Sequence, residues 1–128
     1  MKARPGASAS ASLTVTPADT ALALRSGDVV VLATPRLLAL CEEATVLAVA
    51  PLLEEDETTV GSRVELEHLA PSAPGDRVQA TAVLEKVEGR RLILTVVARR
   101  GETIVGRGTI CRVVVDRRRF PAEAAGPG

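Results

Sequence analysis

The chain has 128 residues, 16 Lys+Arg against 16 Asp+Glu for a formal net charge of zero, and a hydrophobic content of 46%. That suits a single domain with one core and excludes disorder or a fibrous repeat. With one Phe and neither Trp nor Tyr, it lacks the rings on which single-stranded nucleic acids and most carbohydrates stack, and its balanced charge argues against binding a duplex.

In chain order, residues 1–11 read as a flexible N-terminal tail of Ala, Ser, Gly and Pro, residues 12–120 as the folded domain, and residues 121–128 as a flexible C-terminal tail. The tail has no apolar signal-peptide core, and no run reaches the roughly 18–20 apolar residues of a bilayer span. The expectation is a soluble, cytoplasmic protein that binds no membrane and no nucleic acid. Leu13 and Val15 alternate with Thr14 and Thr16, which predicts an opening strand stopped by Pro17. Val29 to Leu32 predicts a short, buried, extended run.

Thr34-Pro35 signals a helix start, because Thr caps free N–H groups and Pro at the first helical position loses no hydrogen bond. From there to about Ala50 the chain is apolar on nearly every side, the pattern of a buried helix. Pro51 and the acidic run Glu54 to Glu57 end it.

After Thr58 the period becomes two, with β-rich stretches at 58–70, 77–88, 90–99 and 103–115. Turn signals join them at Pro71 to Gly75, Glu88-Gly89 and Arg100-Gly101-Glu102. This predicts an α+β fold in which one long helix precedes an antiparallel meander that curls around it. One helix cannot cover both faces of so apolar a sheet, so a second subunit is expected to cover the rest.

The groups able to do chemistry are few. Cys41 and Cys111 lie in apolar stretches with no metal or disulfide spacing and read as small core residues. The glycines form no phosphate-cradling loop, no GxSxG occurs, and one His without a paired acid motif gives no metal site. Gly106-Arg-Gly108 instead marks a bulge or a close approach.

The single histidine is informative. In Val60-Gly-Ser-Arg-Val-Glu-Leu-Glu-His, strict alternation places Val60, Ser62, Val64, Leu66 and His68 on one face and Arg63, Glu65 and Glu67 on the other. His68 thus points with the apolar set toward the helix, where a neutral imidazole satisfied by a backbone group is the competing, purely structural reading. Glu42 and Glu43 both sit mid-helix on apolar stripes, and periodicity does not choose between them. A buried carboxylate is costly without a partner, and His68 would supply one.

Ala33-Thr34-Pro35, Leu40-Cys-Glu42-Glu-Ala44, Ala50-Pro51, Thr59-Val-Gly61, His68-Leu-Ala-Pro-Ser-Ala-Pro-Gly75, Val87-Glu-Gly-Arg-Arg91 and Gly106-Arg-Gly-Thr109 together resemble the fluoroacetyl-CoA thioesterase-like family of hotdog-fold proteins. The likeness spans roughly residues 30–120, and order and spacing carry it. It implies a helix wrapped by a long antiparallel sheet, a homodimer with a dimer of dimers left open, and active sites at the subunit interface. It further implies hydrolysis of an acyl-CoA thioester with no cofactor, CoA being part of the substrate.

The resemblance matches Thr34, Glu42 and His68 to the family's catalytic threonine, glutamate and histidine, and so selects Glu42 over Glu43. It matches Gly61 to a glycine near the thioester carbonyl, where a backbone N–H helps hold the developing oxyanion, and Arg112 to an arginine of the last strand near the site, both expected to bind substrate. Two departures matter. Where the family often carries a histidine in its last strand, this chain has Ile110, and where fluoroacetyl-discriminating relatives use phenylalanines in a lid segment, it has Ser26 to Leu32.

Rival readings keep the scaffold and change the function. One is the same hydrolysis on an acyl carrier protein, whose acidic surface would meet residues 65–128, where 11 basic groups face 8 acidic ones. Another is a protein that binds acyl-CoA or a metabolite without hydrolysing it.

Overall fold

A computed structural model describes residues 1–126. Strand β1 spans Ser8–Thr14, the one-turn helix α1 Ala21–Leu24, the long helix α2 Thr34–Val49, then β2 Glu57–His68, β3 Arg77–Glu88, β4 Arg91–Arg100, β5 Thr103–Asp116 and a short helix α3 Arg119–Ala125. The five strands form one antiparallel sheet in the order β1-β3-β4-β5-β2. The sheet wraps α2, as the α+β hotdog expectation requires.

The core follows from two periods meeting. Leu37, Leu40, Cys41, Ala44 and Ala48 make the buried stripe of α2, while alternate residues of β3 and β4, among them Ala80, Ala82, Leu94 and Ala98, face it with no exposed surface. The alanines let the helix lie close on β1 and β3, its main contacts. The helix is not buried on every side, however. Val46 and Leu47 are 42% and 47% exposed on the face turned from the sheet.

The predicted β segments match the strands to within two residues, but not all the connections do. β3, β4 and β5 form the expected meander, with Gly89 and Gly101 taking positive φ in the two hairpin turns. β2 does not pair with β3. It pairs with β5 and becomes an edge strand. The connection after His68 carries Pro71 and Pro74, too long and too rigid for a hairpin. It crosses over the domain, the N–H of Leu32 bonding the carbonyl of Ser72 at 2.8 Å.

The N-terminal boundary also moves. The expected tail over 1–11 contains most of β1, whose Ser8 pairs with Val83 and Ala11 with Ala80. Ser8-Ala-Ser-Ala-Ser12 looks like low complexity, yet it alternates with period two, its serines facing solvent while Ala11 packs in the core. The Met1 ammonium lies 3.0 Å from Glu57, and the Lys2 N–H donates to the Leu52 carbonyl. At the other end α3 occupies part of the expected tail, its first N–H groups capped by Asp116 Oδ1 at 3.0 and 2.7 Å. Residues 127–128 of that tail lie outside the described residues.

The stretch from Val29 to Leu32 is another correction. Val29 and Val30 are 53% and 54% exposed, and only Leu32 is buried, bridging to Thr20. No helix among the described residues is long and apolar enough to cross a membrane.

Candidate active site

Two separate groups of side chains lie between α2 and β2. At the start of the helix, Thr34 Oγ1 lies 2.7 Å from His68 Nδ1. The expected cap is therefore not made. Ala33 occupies the N-cap position without a side-chain bond, and the Thr34 hydroxyl is taken by the imidazole. His68 Nε2 is buried with no hydrogen-bond partner in the chain, a costly state for a structural residue.

Burial holds the His68 pKa below the usual imidazole value, the Ala70 backbone partly opposing. The positive end of α2 acts in the same direction as burial. The imidazole is therefore neutral at neutral pH and able to accept a proton. Because the unfolded chain binds that proton at higher pH than the folded one, the stability contribution is complete above the ordinary imidazole pKa of about 6.5 and is lost as pH falls toward the lower folded value. Urea titrations should show wild type losing stability below pH ~6.5 more steeply than His68→Gln; equal slopes would remove this linkage.

Two turns along the helix, Glu42 faces β2 and β5 while Glu43 is exposed. The Glu42 carboxylate lies 3.4 Å from Arg112 Nη1 and is 37% exposed. The partner of Glu42 within the chain is thus Arg112, and the expected Glu42–His68 pair does not form there. Arg112 is itself fixed, its side chain only 7% exposed. Nε donates to Thr59 Oγ1 at 2.8 Å, Nη2 to the Thr59 carbonyl at 3.2 Å, and Nη1 faces Glu42. All three guanidinium nitrogens are engaged within the chain, a rigid fork aimed at one carboxylate. Thr59 was not singled out as a site residue, because nothing along the chain reveals that β2 and β5 are neighbours.

Gly61 completes this group. A Cβ there would sit 2.7 Å from Glu42 Oε2 and 3.7 Å from Arg112 Nη1, so the carboxylate occupies the space a side chain would fill. Gly61→Ala should displace Glu42 and lower kcat on the order of a hundredfold, the scale of a 1 Å misplacement of a reacting group, with little change in melting temperature. Turnover near the wild-type rate would show that this close approach is not needed.

A β-bulge makes the arrangement work. Gly61 pairs with Arg112 and Arg63 with Cys111, leaving Ser62 as an extra residue. Unbroken alternation would turn Gly61 outward with Arg63 and Glu65. The extra residue resets the phase, so that Gly61 and His68 both face α2. Further on, Gly106 and Gly108 mark the expected close approach: a Cβ on Gly106 would meet Leu37, and one on Gly108 the Glu65 carbonyl.

Within one chain the two groups stand apart. Thr34 and Glu42 are eight residues apart on the helix, about 12 Å, and Gly61 and His68 seven apart on the strand, on the order of 20 Å. Cys41, next to Glu42, has its thiol pushed up to about 11 by burial and by the glutamate, so it offers no thiolate at neutral pH. Among the described residues no cluster of His, Cys, Asp or Glu is arranged to hold a metal ion.

The fold has close counterparts. Residues 15–118 match the model of a family described as fluoroacetyl-CoA-specific thioesterase. The chain is 41% identical over 93 residues to a fluoroacetyl-CoA thioesterase of Streptantibioticus cattleyicolor, covering 73% of this chain and 67% of that one. A solved structure of the fluoroacetyl-CoA thioesterase FlK superposes with a TM-score of 0.91 at 33% identity, covering 98% of both chains. A Thermus thermophilus thioesterase superfamily member superposes with a TM-score of 0.88 at 33% identity, covering 95% of this chain and 90% of that one.

Proposed function

The chain belongs to the fluoroacetyl-CoA-specific thioesterase family and is a thioester hydrolase, and from that premise we propose that it cleaves acyl-CoA at sites composed across a homodimer, Glu42 of one protomer working with Thr34 and His68 of the other. The observation that carries this reading is the separation of the two groups within one chain, each at one end of an edge strand.

β2 is twelve residues long and has one side free of any strand. An edge of that length is a template for pairing. Its apolar Val64 is 37% exposed. Antiparallel pairing of β2 with its own copy about a two-fold axis lays the Gly61 end of each strand beside the His68 end of the other. That brings Glu42, Arg112 and Gly61 of one subunit up to Thr34 and His68 of its mate, whose Nε2 has no partner within its own chain, and two equivalent sites result.

The parts then have distinct tasks. The Gly61 N–H, or one beside it, supports the carbonyl oxygen as it gains charge. Arg112, held by Thr59, fixes the Glu42 carboxylate and acts as a positioning residue rather than a contact for CoA phosphates. Glu42 acts either as base or as nucleophile. As base it takes a proton from water as the water oxygen bonds the acyl carbon; the C–S bond then breaks and the thiolate leaves. As nucleophile its oxygen bonds the acyl carbon and expels the thiolate, and water hydrolyses the resulting anhydride. In the base route the neutral His68 imidazole accepts that proton from Glu42 and delivers it to sulfur; in the nucleophilic route it takes the proton released when water hydrolyses the anhydride and delivers it to the departed thiolate, so Glu42 is regenerated in both.

The test is release of free thiol from a panel of acyl-CoA esters, with light scattering for the assembly. Turnover together with a dimer supports the reading. A strictly monomeric species that still turns over rejects the shared site, and acyl-CoA binding with no thiol released over hours rejects hydrolysis.

A further inference from the structure

Beside the Thr34–His68 pair lies a cleft of about 340 Å³, walled by the segment before α2 and the loop after β2. Val29, Val31, Leu32, Leu69 and Ala70 line it, and apart from His68 it has no ionisable side chain. This wall is built rather than loose. Arg25 ends α1 in the left-handed conformation and turns the chain back on itself. The N–H groups of Ala21 and Leu22 then bond the carbonyls of Val31 and Val29 at 2.9 and 3.1 Å.

Leu69 and Val29 stand on the rim, 47% and 53% exposed, with Leu22 and Val30 beside them at 54% each. Apolar side chains gathered around a cleft at a reacting centre mark a place where hydrocarbon is received. The chain's one aromatic residue, Phe120, lies in α3 at the far end of the sequence and takes no part.

We infer that this cleft receives the hydrocarbon tail of the acyl group, and that the substrates are aliphatic acyl thioesters of roughly four to eight carbons, below the count of about eleven heavy atoms that its volume would hold at about 30 Å³ each, because the cleft is open and the thioester itself takes the part beside Thr34 and His68. The inference rests on the reading of Thr34 and His68 as part of the reacting centre. A two-carbon acyl group would leave most of the cleft filled with water. An aliphatic wall gains from each methylene it covers, but it has no dipole or ring edge with which to favour a C–F bond over C–H. Burial of one methylene is worth about a fourfold gain in kcat/KM.

The test measures kcat/KM by thiol release for acetyl-, fluoroacetyl-, butyryl-, hexanoyl-, octanoyl- and decanoyl-CoA with the full chain. The expected result is a rise of about fourfold per methylene from acetyl to hexanoyl, a total of about two orders of magnitude, and a plateau or fall beyond octanoyl. Val29→Phe and Leu69→Phe, both at half-exposed positions that tolerate a larger side chain, should each lower the hexanoyl-to-acetyl ratio by at least about tenfold. A preference for fluoroacetyl-CoA over hexanoyl-CoA, or a ratio that neither variant moves, overturns the inference and leaves hydrolysis standing. Release of no thiol from any ester overturns the hydrolytic reading and this inference with it.

Discussion

Replacing Glu42 by Ala is expected to lower kcat by about three to four orders of magnitude, the range for removing a group that takes a proton or forms a bond in the transition state. KM should change little, because the carboxylate contributes to the reaction more than to binding. Glu42→Gln should lose nearly as much, since the amide keeps the shape but neither takes up a proton nor attacks. Melting temperature is expected to stay near wild type, the carboxylate being 37% exposed and paired only with Arg112. If Glu42→Ala retains more than a tenth of the wild-type rate, the assignment of this carboxylate is wrong. Single turnover in ¹⁸O-labelled water separates the two routes. Label in Glu42, with the first product oxygen coming from the enzyme, identifies the nucleophilic route with water attacking the Glu42 carboxyl carbon of the anhydride.

His68→Ala should lose about two to four orders of magnitude, by removal of the proton carrier. The informative experiment mixes it with Glu42→Ala. If each site takes Glu42 from one protomer and His68 from the other, a mixed dimer holds one site with both defects and one with neither. Random exchange in an equal mixture makes half the dimers mixed, so about a quarter of wild-type activity should return. If all three residues of a site came from one chain, every site in the mixture would carry a defect and no activity would return. The same sample thus reports on chemistry and on assembly. A stable mixed dimer, shown by mass spectrometry, with no recovered turnover would reject the composite site.

Much of the architecture was legible because it depends on short-range patterning. The four long strands follow from period-two alternation between turn signals, and α2 from its start signal and its apolar run. That His68 faces the helix followed from alternation within a single strand. Positions of this kind are fixed by backbone geometry over a few residues, and no distant segment was needed to find them.

What resisted reading depended on which segments meet. Strict alternation put Val60 on the His68 face, where the structure places Gly61 instead, because the bulge at Ser62 is set by the pairing of β2 with β5 and leaves no mark in composition. The serine–alanine alternation of residues 8–12 was too weak in hydrophobicity to stand out until β3 and α2 supplied a surface for it. Glu42 was expected to pair with His68, whereas within the chain each has a different partner.

A chain of 128 residues with zero net charge and one Phe, no Trp and no Tyr determined by itself an α+β fold, with one long helix ahead of four long strands, and an aliphatic lining for the cleft beside His68. The tertiary structure decided that β2 is an edge strand, that Arg112 and Thr59 hold Glu42, and that Thr34 and His68 stand at the opposite end. The division has a physical cause. Periodicity and turn chemistry act between residues close in the chain, while strand partnership, bulge register and ion pairing depend on long-range packing that no local pattern encodes.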